Sequence, residues 1–395
     1  MRILMISDVY FPRINGVSTS IQTFRRGLHA AGHETVLIAP AYPAGPAGDV
    51  GETIRIPSSY LPRDPEDRVM RLRALRALRP ELAGRGFDLV HIQTPFIAHY
   101  HGVSLARALQ IPVIESYHTY FEEYLYHYVP MMPRALMRFL ARRFTVSQCQ
   151  ALDALVVPSR AMQQALQDYG VQCPMHIIPT GMEMERFAAG DGARFRAQLG
   201  ISADQPTLVH VGRIAHEKNI DFLLRMFAKV VQSHPRTVLI VAGEGPALAH
   251  CKAYVAALGI ADQVRFVGYL SRDRELLDCY RAGDLFVFSS KTETQGLVLL
   301  EAMALGVPVV STAYMGTADI VRPQRGARVA PDDEAGFASI VAELLHAPER
   351  RAAMSADARA YAATWSAGAL TERLGQLYAD LIARDARNSC ATQAV

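Results

Sequence analysis

Short apolar runs alternate along the chain with longer segments in which apolar residues recur every three or four positions. In the first half, the apolar runs predict strands at residues 2–7, 35–39, 53–56, 88–93, 112–116, 154–158 and 175–179. Between the first two runs, Ile21, Phe24 and Leu28 follow the spacing of one helix face. Apolar strands that alternate with helices predict a parallel sheet covered on both faces.

A second series of the same kind follows. Its strands are predicted at residues 207–211, 237–242, 263–267, 284–288, 307–311 and 327–329. A chain of 395 residues is too long for one typical domain. We therefore predict an α/β protein with two doubly wound, Rossmann-like domains at residues 1–180 and 181–366. Residues 367–395 form a last helix and tail, which could belong to either half, including by crossing back to the first.

Residues 289–308, SSKTETQGLVLLEAMALGVP, join a polar loop to a nearly all-apolar helix. The apolar segment 297–305 carries one charge, Glu301, and is too short to span a bilayer. It begins directly after Gly296, and a helix start presents N–H groups that favour an anion such as a diphosphate. Glu293 precedes that start. Because a buried carboxylate needs hydrogen-bond donors, Glu301 either forms a structural ion pair or cap, or contacts a ligand.

Charge and cysteine content narrow the class of protein. The formal net charge of +3 is too small to predict nucleic-acid binding. The five cysteines are odd in number, scattered and without a C-x-x-C pair. We therefore expect reduced thiols in the cytoplasm, with neither disulfides nor a zinc site. We also expect no signal peptide, because the apolar run at residues 3–6 follows the start at once and leads into Asp8. We expect no transmembrane helix, because the sequence has no apolar run of about 18 residues.

Candidate ligand-binding residues follow the predicted strands. In open parallel sheets, ligands bind at the carboxyl ends of strands, so two such domains facing each other predict a cleft lined by these loops. The loops contain Gly16, His118, Gly212, Arg213, Gly243, Gly245, Pro246 and Glu293.

Two of these loops could bind phosphate. Gly16, in the pair Asn15-Gly16, could form a tight turn whose N–H groups approach an anion, or could belong to an ordinary loop. Arg213 and Lys218 could direct a guanidinium fork and an ammonium group at phosphate, or could be surface cations beside Glu217. The sequence has no G-x-G-x-x-G in these loops, so a nicotinamide cofactor is not predicted.

The remaining loops could contact a base or a sugar. Gly243 and Gly245 would let a flat base approach the backbone. His118 lies in SYHTYFEEYLYHYVP with Tyr120 and Tyr124, and this polar aromatic segment suits a hydroxyl-rich substrate. A single histidine can equally be a structural residue with satisfied hydrogen bonds.

Two Arg-rich stretches occur in the first half, at residues 63–85 and 134–143. In the second, RALMRFLARR, the cations Arg134, Arg138 and Arg142 share one helix face. The apolar side chains of this stretch are those of Leu136, Met137, Phe139 and Leu140. This pattern is typical of a helix on an anionic membrane surface, but an ordinary amphipathic helix would pack the same apolar face in the core.

In this order and spacing, the candidate residues resemble the retaining glycosyltransferases of family four, which have the B-type fold of two Rossmann-like domains. The most specific match is the pair Glu293 and Glu301, which reproduces the family's E-x-seven-E. NGV at residues 15–17, HVGR at residues 210–213 with Lys218, and EAMALGVPVV from Glu301 support the match. The similarity covers nearly the whole chain.

The resemblance implies a role for each position. The donor diphosphate would be contacted by Gly16, Arg213, Lys218, Gly296, Leu297 and Val298. Glu301 would accept hydrogen bonds from the ribose, Glu293 would hold a hydroxyl of the transferred hexose, and His118 would lie beside that sugar. No metal or cofactor is implied, because Arg213, Lys218 and the helix start would do the work of a divalent ion. No enzymic nucleophile is implied, because the leaving phosphate would help to deprotonate the acceptor during front-face attack.

The segment around His118 resembles the corresponding segment of enzymes that glucosylate 1,2-diacylglycerol. We therefore expect hexose transfer from a nucleotide sugar, UDP-glucose, to a membrane lipid by a cytoplasmic enzyme that is peripheral on the inner face of the cell membrane. Two alternatives remain. One is a GDP-mannose-dependent α-mannosyltransferase acting on phosphatidylinositol or a glycan, and the other is a nucleotide-sugar-binding protein without activity.

Overall fold

A computed structural model describes residues 1–13, 15–43, 45, 50–61, 64–118, 134–272 and 274–393. The chain divides into two compact units. The first unit contains Met1–Gly181 and Ala367–Val395, and the second contains Met182–Ser366.

The first unit contains a parallel sheet and a separate two-stranded hairpin. Its strands are β1 (Arg2–Ile6), β2 (Glu34–Pro40), β3 (Glu52–Ile56), β4 (Ser58–Leu61), β5 (Asp64–Met70), β6 (Leu89–Ile92), β7 (Val113–Ser116), β8 (Ala154–Val157) and β9 (Met175–Ile177). Its first helices are α1 (Gly16–Ala30), α2 (Leu72–Ala77), α3 (Arg79–Ala83), α4 (Ile97–Leu109), α5 (Arg134–Cys149) and α6 (Arg160–Asp168). Seven strands form the sheet in the order β3-β2-β1-β6-β7-β8-β9. The interior strand β1 is buried along most of its length, as two-sided helical cover requires.

The second unit repeats this architecture. Its strands are β10 (Thr207–Val211), β11 (Val238–Ala242), β12 (Val264–Gly268), β13 (Leu285–Phe288), β14 (Val309–Ser311) and β15 (Ala327–Val329), in the sheet order β12-β11-β10-β13-β14-β15. Its helices are α7 (Gly192–Gln198), α8 (Ile220–Ser233), α9 (Leu248–Ala257), α10 (Glu275–Arg281), α11 (Leu297–Ala304), α12 (Met315–Val321), α13 (Glu334–Leu345) and α14 (Pro348–Ala363). All strand pairs in this sheet are parallel.

Alternate side chains of the second sheet enter different cores. Val209 and Phe286 point into a core shared with α10, α11 and α14. Leu208 and Leu285, their immediate neighbours, point into a core shared with α8 and α13. The period of two in the strands therefore divides the apolar side chains between the two faces, and α11 is fixed against one of them.

The final helix, α15 (Ala367–Gln393), packs on the first unit. Leu370, Leu374 and Tyr378 are buried in the same cluster as side chains of α1 and of the sheet. At Gly27 of α1, a Cβ atom would collide with the side chain of Thr371, so the glycine permits the close approach of the two helices. The alternative left open by the sequence is thereby resolved in favour of the first unit.

An antiparallel hairpin of β4 and β5 lies outside the parallel sheet. The predicted strands did not include it, since this region was interpreted only by its charge. Asp64, Pro65, Glu66 and Asp67 have low strand propensity, which conceals β5 in the sequence. Among the described residues, no helix is long and apolar enough to cross a lipid bilayer.

Candidate functional site

The start of α11 is shaped by glycine. Gly296 is the N-cap, with φ 91° and ψ 47°, a left-handed conformation that favours glycine. Because the N-cap residue is glycine, it has no side chain to cap this helix start. The first turn, with Leu297 and Val298, therefore has the geometry predicted for an anion-binding helix terminus.

The loop before α11 is held by the start of α12. The backbone N–H of Gly316 donates to the carbonyl oxygen of Glu293 at 2.8 Å. A Cβ atom at position 316 would collide with the carbonyl oxygen of Thr294. Gly316 thus sets the position of the loop that carries Glu293. It was not predicted as a site residue, because nothing in MGTADIV reveals which carbonyl groups lie beside it.

Lys218 and Glu293 form an ion pair, with 2.7 Å between Nζ and Oε1. Two hydrogen bonds bring their loops together: the side chain of Asn219 donates to the Ser289 carbonyl at 3.3 Å, and the Ser289 hydroxyl donates to the Asn219 carbonyl at 3.0 Å. Asn219 adopts a left-handed φ of 56°, which turns the chain from the lysine into α8. The structure therefore places these two predicted residues side by side, where their charges neutralise each other.

Arg213 is more exposed than Lys218, the other cation predicted to bind phosphate. Its side chain is 67% exposed and lies 3.9 Å from Glu217, too far for a strong hydrogen bond. The backbone of its loop is fixed, because the N–H of Ile214 donates to the Glu244 carbonyl at 2.9 Å. The guanidinium group can therefore reorient toward a ligand while its backbone remains in place.

Gly243 and Gly245 bring two loops of the second unit together. A Cβ atom at Gly243 would collide with the carbonyl oxygen of Gly212, and one at Gly245 would collide with that of Ile214. The backbone that approaches these glycines is thus the loop carrying Arg213. Their contact with a nucleotide base stays a prediction.

Glu301 is buried, and both of its carboxylate oxygens accept hydrogen bonds. Arg272 Nη2 lies 3.0 Å from Oε1, and the Tyr280 hydroxyl lies 2.7 Å from Oε2. Burial, followed by the charge of Glu301, raises the pKa of Tyr280 well above its usual value, so this hydroxyl remains a donor. Neither partner was predicted, since each lies more than 20 residues from Glu301 and belongs to no motif.

His118 lies at the carboxyl end of β7 in the first unit. Its Nε2 is 3.2 Å from Oε1 of Gln93, so Nε2–H donates to the amide oxygen. Burial lowers the pKa of His118 to about 4. The neighbouring His91, between Tyr378 and Ser116, also has its pKa lowered by burial, to about 3. His118 is therefore a neutral hydrogen-bonding group at neutral pH and not a cation.

Gly16 is the first residue of α1. The side chain of Asn15 caps the helix by accepting a hydrogen bond from the N–H of Ser18 at 2.8 Å. Among the described residues, no atom lies within 4 Å of a Cβ atom built at Gly16, so packing against them does not require glycine there. Its contact with the donor diphosphate stays a prediction.

A half-buried carboxyl group that was not predicted lies at the end of β1. Asp8 accepts hydrogen bonds from the Thr94 hydroxyl at 2.8 Å and from the N–H of Ala98, in the first turn of α4, at 3.1 Å. Burial outweighs these donors and raises the pKa of Asp8 to about 6. Its position at the carboxyl edge of the sheet is the only sequence signal that could have identified it.

The predicted acceptor residues are only partly described. Tyr120 and Tyr124 lie outside the described residues, as do the side chains of Arg134 and Arg138 on α5. The guanidinium of Arg142 lies over the ring of Tyr169, 4.8 Å from its centroid.

The apolar face of α5 is divided between the core and the surface. Met137 is buried, whereas Leu136, Phe139 and Leu140 are 47%, 58% and 46% exposed. Core packing therefore accounts for only part of the apolar pattern in this helix. No group of three or more His, Cys, Asp or Glu side chains within the described part of the chain could hold a metal ion.

Two family profiles match the chain. The one described as Glycosyltransferase Family 4 matches residues 14–186, and the one described as Glycosyl transferases group 1 matches residues 191–361. An alpha-monoglucosyldiacylglycerol synthase of Streptococcus pneumoniae is 34% identical over 320 residues, which are 79% of this chain and 71% of that protein. The chain belongs to glycosyltransferase family 4. The family predicted from Glu293, Glu301 and the accompanying motifs is confirmed.

This glycosyltransferase is also similar to a GDP-mannose-dependent alpha-mannosyltransferase of Mycobacterium tuberculosis, with 28% identity over 364 residues, 89% of this chain and 90% of that one. Among solved structures, the Anabaena protein HepE in complex with UDP superposes with a TM-score of 0.77 at 16% identity, covering 96% of this chain and 100% of that one. That likeness concerns the fold, and it confirms the predicted B-type pair of Rossmann-like domains.

Proposed function

We propose that this glycosyltransferase transfers a hexose from UDP-glucose to a membrane lipid such as 1,2-diacylglycerol, with retention of the anomeric configuration. The bond between the anomeric carbon and the diphosphate oxygen breaks, and a bond to the acceptor oxygen forms. The acceptor proton passes to the leaving phosphate, so no metal and no enzymic nucleophile take part. The observation that carries the proposal is the pairing of Lys218 with Glu293 before the start of α11.

In this proposal the ion pair exchanges partners when the donor binds. The Lys218 ammonium moves from carboxylate to phosphate, while Glu293 accepts hydrogen bonds from a hexose hydroxyl. Arg213, whose side chain is largely exposed, turns toward the same phosphate. The N–H groups at the start of α11 contribute partial positive charge, so negative charge that develops on the leaving group is stabilised without a divalent ion.

His118 has a proposed role as a neutral hydrogen-bond partner for a substrate hydroxyl. Its bond to Gln93 fixes the ring, and burial keeps the ring unprotonated at neutral pH. A neutral imidazole does not compete with Lys218 and Arg213 for phosphate. This assignment matches a position beside a sugar better than a position at the diphosphate.

The lipid acceptor is supported by two observations. The relative that is 34% identical is named an alpha-monoglucosyldiacylglycerol synthase. In addition, α5 combines exposed Leu136, Phe139 and Leu140 with the cations of an Arg-rich stretch. We propose that this helix rests on the anionic inner face of the cell membrane and gives access to an acceptor within the leaflet.

The experiment is a radiolabel-transfer assay with UDP-glucose, UDP-galactose or GDP-mannose, each offered diacylglycerol in mixed micelles. The expected result is a chloroform-soluble product with UDP-glucose, unchanged by excess EDTA. Loss of transfer in EDTA would contradict the metal-free mechanism. Absence of lipid product with all three donors would overturn the lipid acceptor.

The second candidate is a GDP-mannose-dependent mannosyltransferase acting on phosphatidylinositol or a glycan. The similarity to the mycobacterial mannosyltransferase, over nine-tenths of both chains, favours it. Transfer from GDP-mannose but not from UDP-glucose would support it. Binding of either donor without transfer or hydrolysis would instead support a non-catalytic nucleotide-sugar-binding protein.

A further inference from the structure

The Glu301 carboxylate is held by two donors that come from different elements. The Tyr280 hydroxyl, on α10, lies 2.7 Å from Oε2. Arg272, in the loop between β12 and α10, places Nη2 3.0 Å from Oε1. Each oxygen thus has its own donor, so the carboxylate can neither rotate nor shift without breaking one of the two bonds.

The two donors differ in their freedom to move. The Tyr280 side chain is completely buried, and its ring packs against Phe286 with 5.6 Å between ring centroids. Its hydroxyl therefore has one available position. The Arg272 side chain is 32% exposed, so it is less confined than Tyr280. Tyr280 accordingly fixes the carboxylate with a buried hydroxyl, while the partly exposed Arg272 supplies opposite charge.

A carboxylate has about four lone-pair positions, two on each oxygen. Tyr280 and Arg272 each occupy one position, on different oxygens. This division leaves one accepting direction per oxygen, which is the arrangement required by two adjacent hydroxyl groups. If both donors had bound the same oxygen, the two hydroxyl groups of a vicinal diol could not each donate to a different carboxylate oxygen.

We propose that Tyr280 and Arg272 are positioning residues, which orient Glu301 so that its two oxygens accept from the 2′- and 3′-hydroxyls of the donor's ribose. This inference rests on the proposed donor site and deepens it. Tyr280 and Arg272 act through Glu301 and do not need to touch the reacting atoms. Loss of either donor misdirects the carboxylate and weakens recognition of the diol, but leaves the base and the diphosphate contacts unchanged.

The test compares UDP with 2′,3′-dideoxy-UDP, and GDP with 2′,3′-dideoxy-GDP, by isothermal titration calorimetry. Wild-type protein is expected to prefer the ribonucleotide. In Tyr280→Phe, which keeps the ring and removes the hydroxyl, ribonucleotide affinity is expected to fall roughly tenfold while dideoxynucleotide affinity stays constant. Arg272→Gln, a change at a partly exposed position, should reduce the same preference.

Tyr361→Phe is the matched control, because the hydroxyl of this tyrosine, in the same unit, donates to the Asp319 carbonyl and not to the Glu301 carboxylate. It should keep the wild-type preference. If Tyr280 has a merely structural role, Tyr280→Phe will bind the ribonucleotide and the dideoxynucleotide more weakly by the same factor. That result overturns the inference. If Tyr280→Phe does not fold, an unchanged preference in Arg272→Gln overturns it.

The outcomes separate this inference from the proposed function. If wild-type protein binds neither UDP nor GDP, the donor site itself is wrong and the inference falls with it. If wild-type protein prefers the ribonucleotide and both variants retain that preference, the donor site stands. The positioning role of Tyr280 and Arg272 is then rejected alone.

Discussion

Two carboxylates of the candidate site in the second unit are each paired with a cation. Lys218 faces Glu293, and Arg272 faces Glu301. These four charged groups are partly removed from water. Each would cost several kcal/mol if it had no partner of opposite charge, and the pairing avoids that cost. The pairs also mean that a diphosphate must compete with a carboxylate for Lys218, so removal of one partner should have different effects on nucleotide binding and on turnover.

Glu293→Ala is expected to lower kcat roughly 100-fold, because the proposed contact is to the transferred hexose. The same change releases Lys218 for phosphate, so affinity for UDP should stay constant or increase. Glu301→Ala is the comparison, and it should weaken UDP binding because its proposed contact is to the ribose. Calorimetry with UDP and steady-state kinetics give both quantities. A Glu293→Ala variant that loses UDP affinity as severely as Glu301→Ala would contradict the assignment.

Asp8 should make the stability of the first unit depend on pH. Its pKa is raised to about 6, so between pH 4 and pH 6 the folded protein retains a proton that the unfolded chain releases. The free energy of unfolding therefore falls as pH rises through this window. Asp8→Asn removes this loss, and its stability relative to wild type should increase on the order of 2 kcal/mol from pH 4 to pH 7.

Urea unfolding followed by circular dichroism at several pH values measures this difference. The comparison with wild type cancels the opposite trend from His91 and His118. Their lowered pKa values favour the folded state above pH 6.5 and cease to do so as pH falls toward 4. A difference between Asp8→Asn and wild type that does not change with pH would show that Asp8 is ionised normally.

At the scale of elements, close backbone approaches fix the loops of the candidate site. Gly316→Ala is expected to destabilise the second unit by about 2 kcal/mol or more and to weaken UDP binding, because the new Cβ displaces the loop of Glu293. Gly16→Ala is the contrasting variant: its Cβ meets no atom of the part of the chain that the structure describes, so stability should not fall. Thermal melts with and without UDP measure both effects. Equal loss of stability in the two variants would contradict this explanation.

The repeated elements could be predicted from the sequence because their pattern is strong. Each predicted strand overlaps an observed one, and α11 begins at Leu297 directly after Gly296, as expected. The candidate site was predicted only where residues belong to recognisable motifs. Tyr280, Arg272 and Gly316 act through contacts between distant segments, and no local pattern reveals which carboxylate or carbonyl group lies beside them.

At the scale of the whole molecule, positive charge is concentrated in the first half of the chain. Residues 1–180 contain 18 Arg, no Lys and 14 acidic residues, whereas the remainder is nearly neutral. The same half contains α5, with its exposed apolar side chains. Charge alone would give weak, salt-sensitive binding to an anionic surface, and apolar side chains add an attraction that salt does not screen.

The double variant Phe139→Gln, Leu140→Gln is therefore expected to lose most binding to vesicles containing anionic lipid, since it removes apolar surface but keeps every arginine. Both side chains are about half exposed, so the fold should tolerate the change. Tyr269→Gln is the matched control, because Tyr269 is equally exposed in the second unit. Vesicle flotation measures binding, and hydrolysis of UDP-glucose in the absence of acceptor reports the donor site. Flotation is also measured at 0.5 M salt, roughly five times the ionic strength at which the Debye length is 10 Å, so that charge interactions are largely screened. If the double variant still floats with vesicles under these conditions, α5 is not the membrane-binding element.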